Sequence, residues 1–285
     1  MAKPDRLIKP YLKWAGGKRQ LLPEVKKCLP AGIQRYTYYE PFIGAGAVFF
    51  ELLPAKAVIN DCNSQLMLTY TAVKENVEEL IVLLKQHQDK NSREYFYKIR
   101  NLDRDSRKFD ALGSTEKAAR LIFLNKTCFN GLYRVNSHGF FNVPYGRYTN
   151  PVICEETLLR QISRYLNEHE ISILNSDFED AVMTAGEDSF VYFDPPYHSP
   201  GKTGFTYYHA DGFTEREQER LRGLMITLTG RGSKCLLSNA DTEYIRGLYD
   251  HTFFDIIPVQ AKRCINSDSS GRGNVGEVLI KNWKD

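Results

Sequence analysis

The sequence is poor in the features that mark specialised classes of protein. Its six cysteines, at 28, 62, 128, 154, 235 and 264, form no CxxC pair, and a disulfide scaffold is not expected in 285 residues. The histidines at 87, 138, 169, 198, 209 and 251 make no metal-ligand spacing with them, so no metal is expected. No apolar run approaches the roughly 20 residues that cross a bilayer. Residues 1–10 are charged and lack an apolar stretch, so no signal peptide is expected. A cytoplasmic protein with reduced thiols is the plain reading. A strong excess of one charge is also missing: 38 Lys and Arg against 35 Asp and Glu give +3, a lean that neither requires nor excludes a nucleic-acid partner. What remains is an ordinary globular mix, 42% hydrophobic and 12% aromatic, long enough for one large domain or two modest ones.

Within that mix the stretch Ser189-Phe190-Val191-Tyr192-Phe193-Asp194-Pro195-Pro196-Tyr197 stands out. Its first half predicts a short buried strand, because β-branched and aromatic residues run unbroken to a breaker. Asp194 falls where that strand ends. Pro195 and Pro196 then fix two φ angles and remove two N–H donors. An acceptor-only carboxylate, free carbonyls and an aromatic face suit a flat ring that carries an NH2 group. A lone Asp-Pro-Pro is ordinarily just a turn, so the rest of the chain has to carry the functional reading.

Residues 36–50 predict strand, glycine loop and helix, with Gly44 and Gly46 in the loop and Glu40 at the strand end. A short GxG is weak by itself. It is followed by a second strand over 57–61 that ends in Asp61, 15 residues after Gly46, where nucleotide-binding α/β folds place a ribose carboxylate. Upstream, Tyr11-Leu12-Lys13-Trp14-Ala15-Gly16-Gly17-Lys18 predicts a tight loop, and the missing Ser/Thr after the lysine excludes a P-loop. A short helix over 19–30 follows. Core packing is the plain alternative for Trp14, and a solvated face the plain alternative for Lys13 and Lys18.

Residues 63–88 predict one helix, 91–110 are charged and aromatic, and 116–127 predict another helix. This interrupts the strand–helix alternation and predicts a mainly helical insertion. Residues 128–149 then mix amides, arginines, aromatics and glycines, with a β-hairpin expected to turn at Ser137-His138-Gly139. Arg and Asn can read base edges and aromatics can stack or wedge, so DNA recognition is the favoured reading over a loop merely packed on the core. Helix 155–167 and strand 171–174 follow, then Asp177-Phe178, an acid and an aromatic able to cradle an adenine. After the organising strand come helix 215–229 with Thr214 as its cap, strand 234–239, helix 241–249 and two edge strands, 253–259 and 277–283. The basic loop between those strands suits phosphates.

Taken together, Leu-Lys-Trp-Ala-Gly-Gly-Lys (12–18), Pro-Phe-Ile-Gly-Ala-Gly (41–46), Asn-Asp (60–61), Phe-Asn-Gly-Leu-Tyr-Arg-Val-Asn (129–136), Phe-Asn-Val-Pro-Tyr-Gly-Arg-Tyr (141–148) and Asp-Pro-Pro-Tyr (194–197) resemble the Dam-type DNA adenine-N6 methyltransferases, alpha group, of the kind found in GATC restriction-modification systems. The resemblance spans nearly the whole chain in the family's order. It implies a Rossmann-like methyltransferase sheet, catalytic over 1–62 and 171–285, with residues 63–170 as the inserted recognition domain. It implies S-adenosylmethionine and double-stranded DNA as partners, and a cognate endonuclease encoded nearby.

By the same resemblance, Asp194, Pro195, Pro196 and Tyr197 are catalytic. Trp14, Lys18, Glu40, Phe42, Gly44, Gly46, Asp61, Asp177, Phe178 and Asp194 bind the cofactor. Lys13, Phe129, Leu132, Arg134, Asn136, Asn142 and Pro144 contact or probe bases, and Ser269, Ser270 and Arg272 grip phosphate. Phe129 stands where some relatives carry Tyr. Three rivals stay open on the residues alone: a cytosine-N4 DNA methyltransferase, a DNA-binding relative without activity, and an RNA or protein amino-methyltransferase.

Overall fold

The computed structural model describes residues 8–14, 20–199, 213–249, 252–261 and 275–284. The chain divides into two compact units. One takes Met1–Gly17, Gly44–Leu53 and Asp61–Asn175; the other takes Lys18–Ile43, Pro54–Asn60 and Ser176–Asp285. Among the described residues, six strands belong to the second unit: β1 (Thr37–Glu40), β2 (Lys56–Asn60), β4 (Ser189–Phe193), β5 (Lys234–Ala240), β6 (Asp255–Ala261) and β7 (Val275–Lys281). The remaining strand, β3 (Glu170–Leu174), falls in the first unit.

In the second unit the order is β2-β1-β4-β5-β7-β6. β1 pairs in parallel with β2 and β4, and β4 with β5. β7 runs antiparallel to both β5 and β6, so the two last strands pair at the edge as expected. The chain leaves β1 on one side and returns as β4 on the other. The β1/β4 boundary is therefore a switch point, where open α/β sheets bind ligands outside the strands' carboxyl ends. β1 ends at Glu40, and β4 hands the chain to Asp194.

β4 is buried along its whole length, which explains its unbroken apolar run. Val191 and Phe193 share one core cluster with Tyr39, Cys235 and Leu237, and with Leu221, Met225 and Leu228 of α10 (Glu215–Gly230). Those three are spaced at the helical repeat, so one stripe of α10 closes that face. The opposite face carries Tyr38, Phe190 and Tyr192, and the two buried tyrosine hydroxyls there need polar partners. Thr214 precedes α10, but its side chain makes no cap bond; only its carbonyl accepts, from Gln218 N–H at 3.0 Å. The first helix, α1 (Leu22–Lys27), is shorter than the expected 19–30, and the chain continues past Cys28 and Pro30 into a 3-10 turn at Ile33–Arg35.

The first unit is helical. The single helix expected over 63–88 is two, α3 (Ser64–Glu75) and α4 (Val77–Asp89). Asn76 breaks them with φ −132 and ψ 38, and asparagine competes poorly for helical geometry. The break lets both apolar faces pack on α7 (Ser114–Thr127), whose residues from Ala118 to Asn125 are all buried. Glu116 accepts from the Gly113 N–H at 2.8 Å and so starts α7. The charged stretch 91–110 also folds, as α5 (Arg93–Arg100) and α6 (Ser106–Asp110). α8 (Glu156–Glu168) covers α3 and α4.

His87 of α4 stacks on Phe123 and sits 2.9 Å from the Tyr95 hydroxyl. Burial holds its imidazole down at about 4, against an ordinary value of 6.5. The unfolded chain binds this proton first as pH falls. Stability should therefore be level above pH 6.5 and drop by up to about 3 kcal/mol on approaching pH 4. Urea unfolding of His87→Leu should lose that slope; an unchanged slope would refute the assignment.

Candidate functional site

Four residues of the turn after β4, Asp194, Pro196, Tyr197 and His198, are held by side chains from elsewhere in the second unit. Ser238 Oγ donates to Asp194 Oδ1 at 2.8 Å. Gln218 Nε2 donates to the Pro196 carbonyl at 3.1 Å. The Tyr197 hydroxyl donates to Glu277 Oε2 at 3.0 Å. The His198 N–H donates to Asn239 Oδ1 at 3.1 Å, and Asn239 Nδ2 donates to Gln218 Oε1 at 3.0 Å. Gln218, Ser238 and Asn239 are wholly buried, so these bonds act in low dielectric, where leaving one unmade costs most. The two prolines give the turn no N–H to satisfy; its carbonyls and side chains do the bonding.

The phenols here stay protonated. Burial, then the Asp194 carboxylate, pushes Tyr197 well above its usual range. The same two causes act on Tyr192, and burial then Glu40 acts on Tyr38. None is a base near neutrality. Tyr197 offers a ring face and an O–H donor.

At the end of β1, Glu40 is buried and accepts from the Tyr38 hydroxyl at 2.7 Å. Asn60, the last residue of β2, staples the neighbouring loops. Its Nδ2 donates to Pro41 O at 3.0 Å and Ser176 O at 3.1 Å, while its Oδ1 accepts from Ser176 N at 2.8 Å. This sets Phe42 against Phe178, with ring centroids 5.4 Å apart. Asp177 caps α9 (Phe178–Ala181), accepting from Glu179 N at 3.0 Å, and pairs with Arg220 Nη2 at 3.0 Å. The strand ends of the second unit thus carry carboxylates, Glu40 and Asp194, near buried aromatic rings. That donor set fits a cationic sulfonium bearing a flat nucleoside.

In the first unit, Trp14, Gly44 and Asp61 come together. Gly44 and Gly46 have φ 49 and 72, a region in which side chains strain the backbone. Asp61 Oδ2 accepts from Gly44 N at 3.1 Å and Oδ1 from Asn63 N at 2.9 Å. Trp14 lies 3.0 Å from where a Cβ on Gly44 would sit, and its ring stacks on Tyr133 at 5.2 Å. Gly46 is packed against the Tyr70 hydroxyl and the Phe50 ring, so its small size also serves the core. Lys18 lies outside the described residues.

Asn125 of α7 ties the start of the chain to the loop after α7. It accepts from Lys13 N at 2.9 Å and donates to Lys13 O at 2.6 Å and Gly131 O at 2.9 Å. Lys13 Nζ rests 4.1 Å from the centroid of the Tyr148 ring. Phe129 is exposed, and its N–H donates to Pro144 O at 2.9 Å. Leu132 leads into the two arms of the expected hairpin, which meet at two bridges, Val135↔Phe141 and Cys128↔Tyr145, and through backbone bonds such as Asn142 N–H to Arg134 O at 3.0 Å. Asn136 Oδ1 accepts from both His138 N and Phe140 N at 3.0 Å and so makes the tip. Arg134 Nε donates to Asn142 Oδ1 at 2.7 Å, joining two candidate base readers across the arms. Ser269, Ser270 and Arg272 lie outside the described residues.

Gly131 has φ 63, and a Cβ there would come 2.5 Å from Lys13 Cβ. Gly131→Ala is expected to cost about 1–3 kcal/mol and to loosen Lys13. Urea titration measures it; a variant as stable as the parent would show that the loop relaxes freely.

Several residues of these clusters escaped sequence reasoning: Ser238, Asn239, Gln218 and Glu277 around the turn, and Asn125 and Asp103 under the recognition loop. All are polar and none has a spacing signature. Ser238-Asn239 alone left a trace, as polar residues at the end of an apolar strand.

An acid-Pro-Pro-Tyr turn at a switch point, among carboxylates suited to a sulfonium, defines an α/β methyltransferase that acts on an amine. The model of the D12 class N6 adenine-specific DNA methyltransferases matches residues 14–265, and the chain belongs to that family. It is 46% identical over 278 residues to the type II methyltransferase M1.LlaDCHI of Lactococcus lactis subsp. cremoris, covering 97% of this chain and 96% of that one. It is 42% identical to the type II methyltransferase M.MjaIII of Methanocaldococcus jannaschii, over 97% of this chain and 99% of the other. The DNA adenine methylase of Escherichia coli K12 is 33% identical, over 94% and 93% of the two chains. The protein therefore methylates N6 of adenine in double-stranded DNA, with S-adenosylmethionine as methyl donor.

Proposed function

We propose that the target site is GATC and that Asp194, Pro195, Pro196 and Tyr197 perform the transfer. The observation that carries this reading is the Asp-Pro-Pro-Tyr turn at the switch point, where Asp194, Pro196 and Tyr197 are each bonded to a side chain. An adenine inside a duplex is out of reach, so the base must leave the stack. Tyr197 then offers its ring face to the base. Asp194 and the Pro195 carbonyl accept from the N6 amine and turn its lone pair outward. S-adenosylmethionine, when bound, supplies an electrophilic methyl group. Most of the gain comes from placement and from a fixed dipole field. The amine becomes strongly acidic only after it is methylated, so Asp194 need not be a strong base.

Trp14, Lys18, Glu40, Phe42, Gly44, Gly46, Asp61, Asp177 and Phe178 are the residues that would hold the cofactor. The turn needs no metal in this scheme. Residues 63–170 serve as the recognition insert, with Lys13, Phe129, Leu132, Arg134, Asn136, Asn142 and Pro144 facing bases and Ser269, Ser270 and Arg272 facing phosphates. Two of the relatives carry type II methyltransferase names, which favours a role beside a cognate endonuclease.

The test is methylation of defined duplexes that differ from GATC by one base pair, with the product mapped. Arg134→Ala should lose about 1–3 kcal/mol of discrimination at one base pair. Asn142→Ala should lose part of the same preference, because it frees the Arg134 side chain. Unchanged discrimination in both would remove this recognition role.

A further inference from the structure

The reacting groups do not account for the buried carboxylate that meets the last residue of the turn. Glu277 is only 8% exposed and lies on β7 among Val278, Leu279 and Ile280, all fully buried. Packing alone would favour an apolar residue there, since a buried carboxylate is costly unless donors meet it. The β5–β7 register sets Ala240 opposite Glu277 and Ser238 opposite Leu279. Opposed residues share a face and faces alternate along a strand, so Glu277 joins Ser238 and Ala240 on one side. That is the side of Tyr192, whose hydroxyl lies 3.1 Å from Ser238 Oγ. A slip of one residue would turn Glu277 to the other face. In the observed register its Oε2 takes the Tyr197 hydroxyl at 3.0 Å, across 80 residues of sequence.

We propose that Glu277 is a positioning residue for methyl transfer: by accepting the Tyr197 hydroxyl it sets the plane of that ring before the adenine arrives. The proposal rests on the reading of Tyr197 as the platform for the target base. The Tyr197 hydroxyl also meets Ser238, but that serine already donates to Asp194, so without Glu277 the ring turns more freely about its two side-chain torsions. An anchor at the far end removes that freedom in advance, and the benefit appears in the bound complex. The signature is therefore a fall in kcat with little change in the KM for DNA.

Four variants test it: Glu277→Ala, Glu277→Gln, Tyr197→Phe and the double variant Glu277→Ala/Tyr197→Phe. Glutamine keeps an acceptor oxygen, so Glu277→Gln should stay within about threefold of the parent kcat. Glu277→Ala and Tyr197→Phe should each lose about tenfold in kcat with the KM for duplex within about twofold, and the double variant should lose no more than either alone. Urea midpoints measured alongside correct each rate for folded protein. Full kcat in Glu277→Ala or in Tyr197→Phe overturns the proposal, as does a double variant whose loss is the product of the single losses. Tyr197→Phe decides the matter even if Glu277→Ala fails to fold. Undiminished transfer by Tyr197→Ala would instead strike the reading of Tyr197 itself.

Discussion

Asp194→Ala should cut the single-turnover rate of methyl transfer by at least about 10³-fold and leave most of the DNA affinity in place. The carboxylate accepts from Ser238 Oγ at 2.8 Å, so it is held before substrate binds and pays no ordering entropy during the reaction. Alanine removes both the acceptor for the amine and the partner of Ser238. Duplex affinity generally comes from many contacts to phosphates and base edges, to which one carboxylate adds little, so binding should survive. Asp194→Asn should be milder, because the amide oxygen still accepts and glutamine methyltransferases use Asn-Pro-Pro-Tyr. Tritium transfer to a GATC duplex under single-turnover conditions, with anisotropy for DNA affinity, gives both numbers. Full turnover by Asp194→Ala would end the mechanism argued above.

Asp103→Ala should destabilise the protein by about 3–5 kcal/mol, the usual cost of breaking a buried ion pair by removing one partner. Asp103 sits under the recognition loop. It meets Arg120 Nη2 and Arg104 Nη1 at 2.9 Å and accepts from the Phe141 N–H at 2.8 Å. Arg120 is buried, and its guanidinium also donates to the carbonyls of Ile99 at 2.9 Å and Arg100 at 2.7 Å. Burial lowers the Arg120 guanidinium and Asp103 raises it again, so losing the acid strands a buried charge. Arg104 also donates to the Phe141 carbonyl at 3.0 Å, so the backbone one residue before Asn142 is held from both sides. The same variant should therefore blur discrimination between GATC and its near relatives at temperatures where it remains folded. Asp103→Leu combined with Arg120→Met should cost less than Asp103→Ala, because the buried guanidinium goes with its partner and the remaining one, Arg104, is partly exposed. Urea unfolding and duplex competition measure the two effects. A loss below about 1 kcal/mol would show that solvent reaches this network.

Much of the architecture was legible from local pattern. β4 was visible because a strand buried on both faces reads as an unbroken apolar run, and the breaker Pro195-Pro196 marked its end. The glycine loop and the two edge strands were visible for similar reasons. The 63–88 segment was misread because its apolar residues keep helical spacing through Asn76. Only packing on α7 makes the break worth its lost hydrogen bonds. The 91–110 segment gave no strong periodic signal because α5 and α6 are short and mostly exposed. The hairpin was placed correctly at its tip, but its arms meet only in short patches of backbone bonding, joined also by the Arg134–Asn142 contact, and form no regular strand pair.

The order of amino acids alone determined the strands, the glycine loop, the Asp-Pro-Pro-Tyr turn and the amine chemistry that turn suggests, because each rests on residues a few positions apart. Only the tertiary structure decided what holds them. Gln218 reaches Pro196 across 22 residues, Ser238 reaches Asp194 across 44 and Glu277 reaches Tyr197 across 80. Those meetings depend on strand register and on which stripe of α10 faces the sheet. Neither leaves a local signature, since a serine or a glutamate in a strand looks the same whether its neighbour is water or a tyrosine hydroxyl.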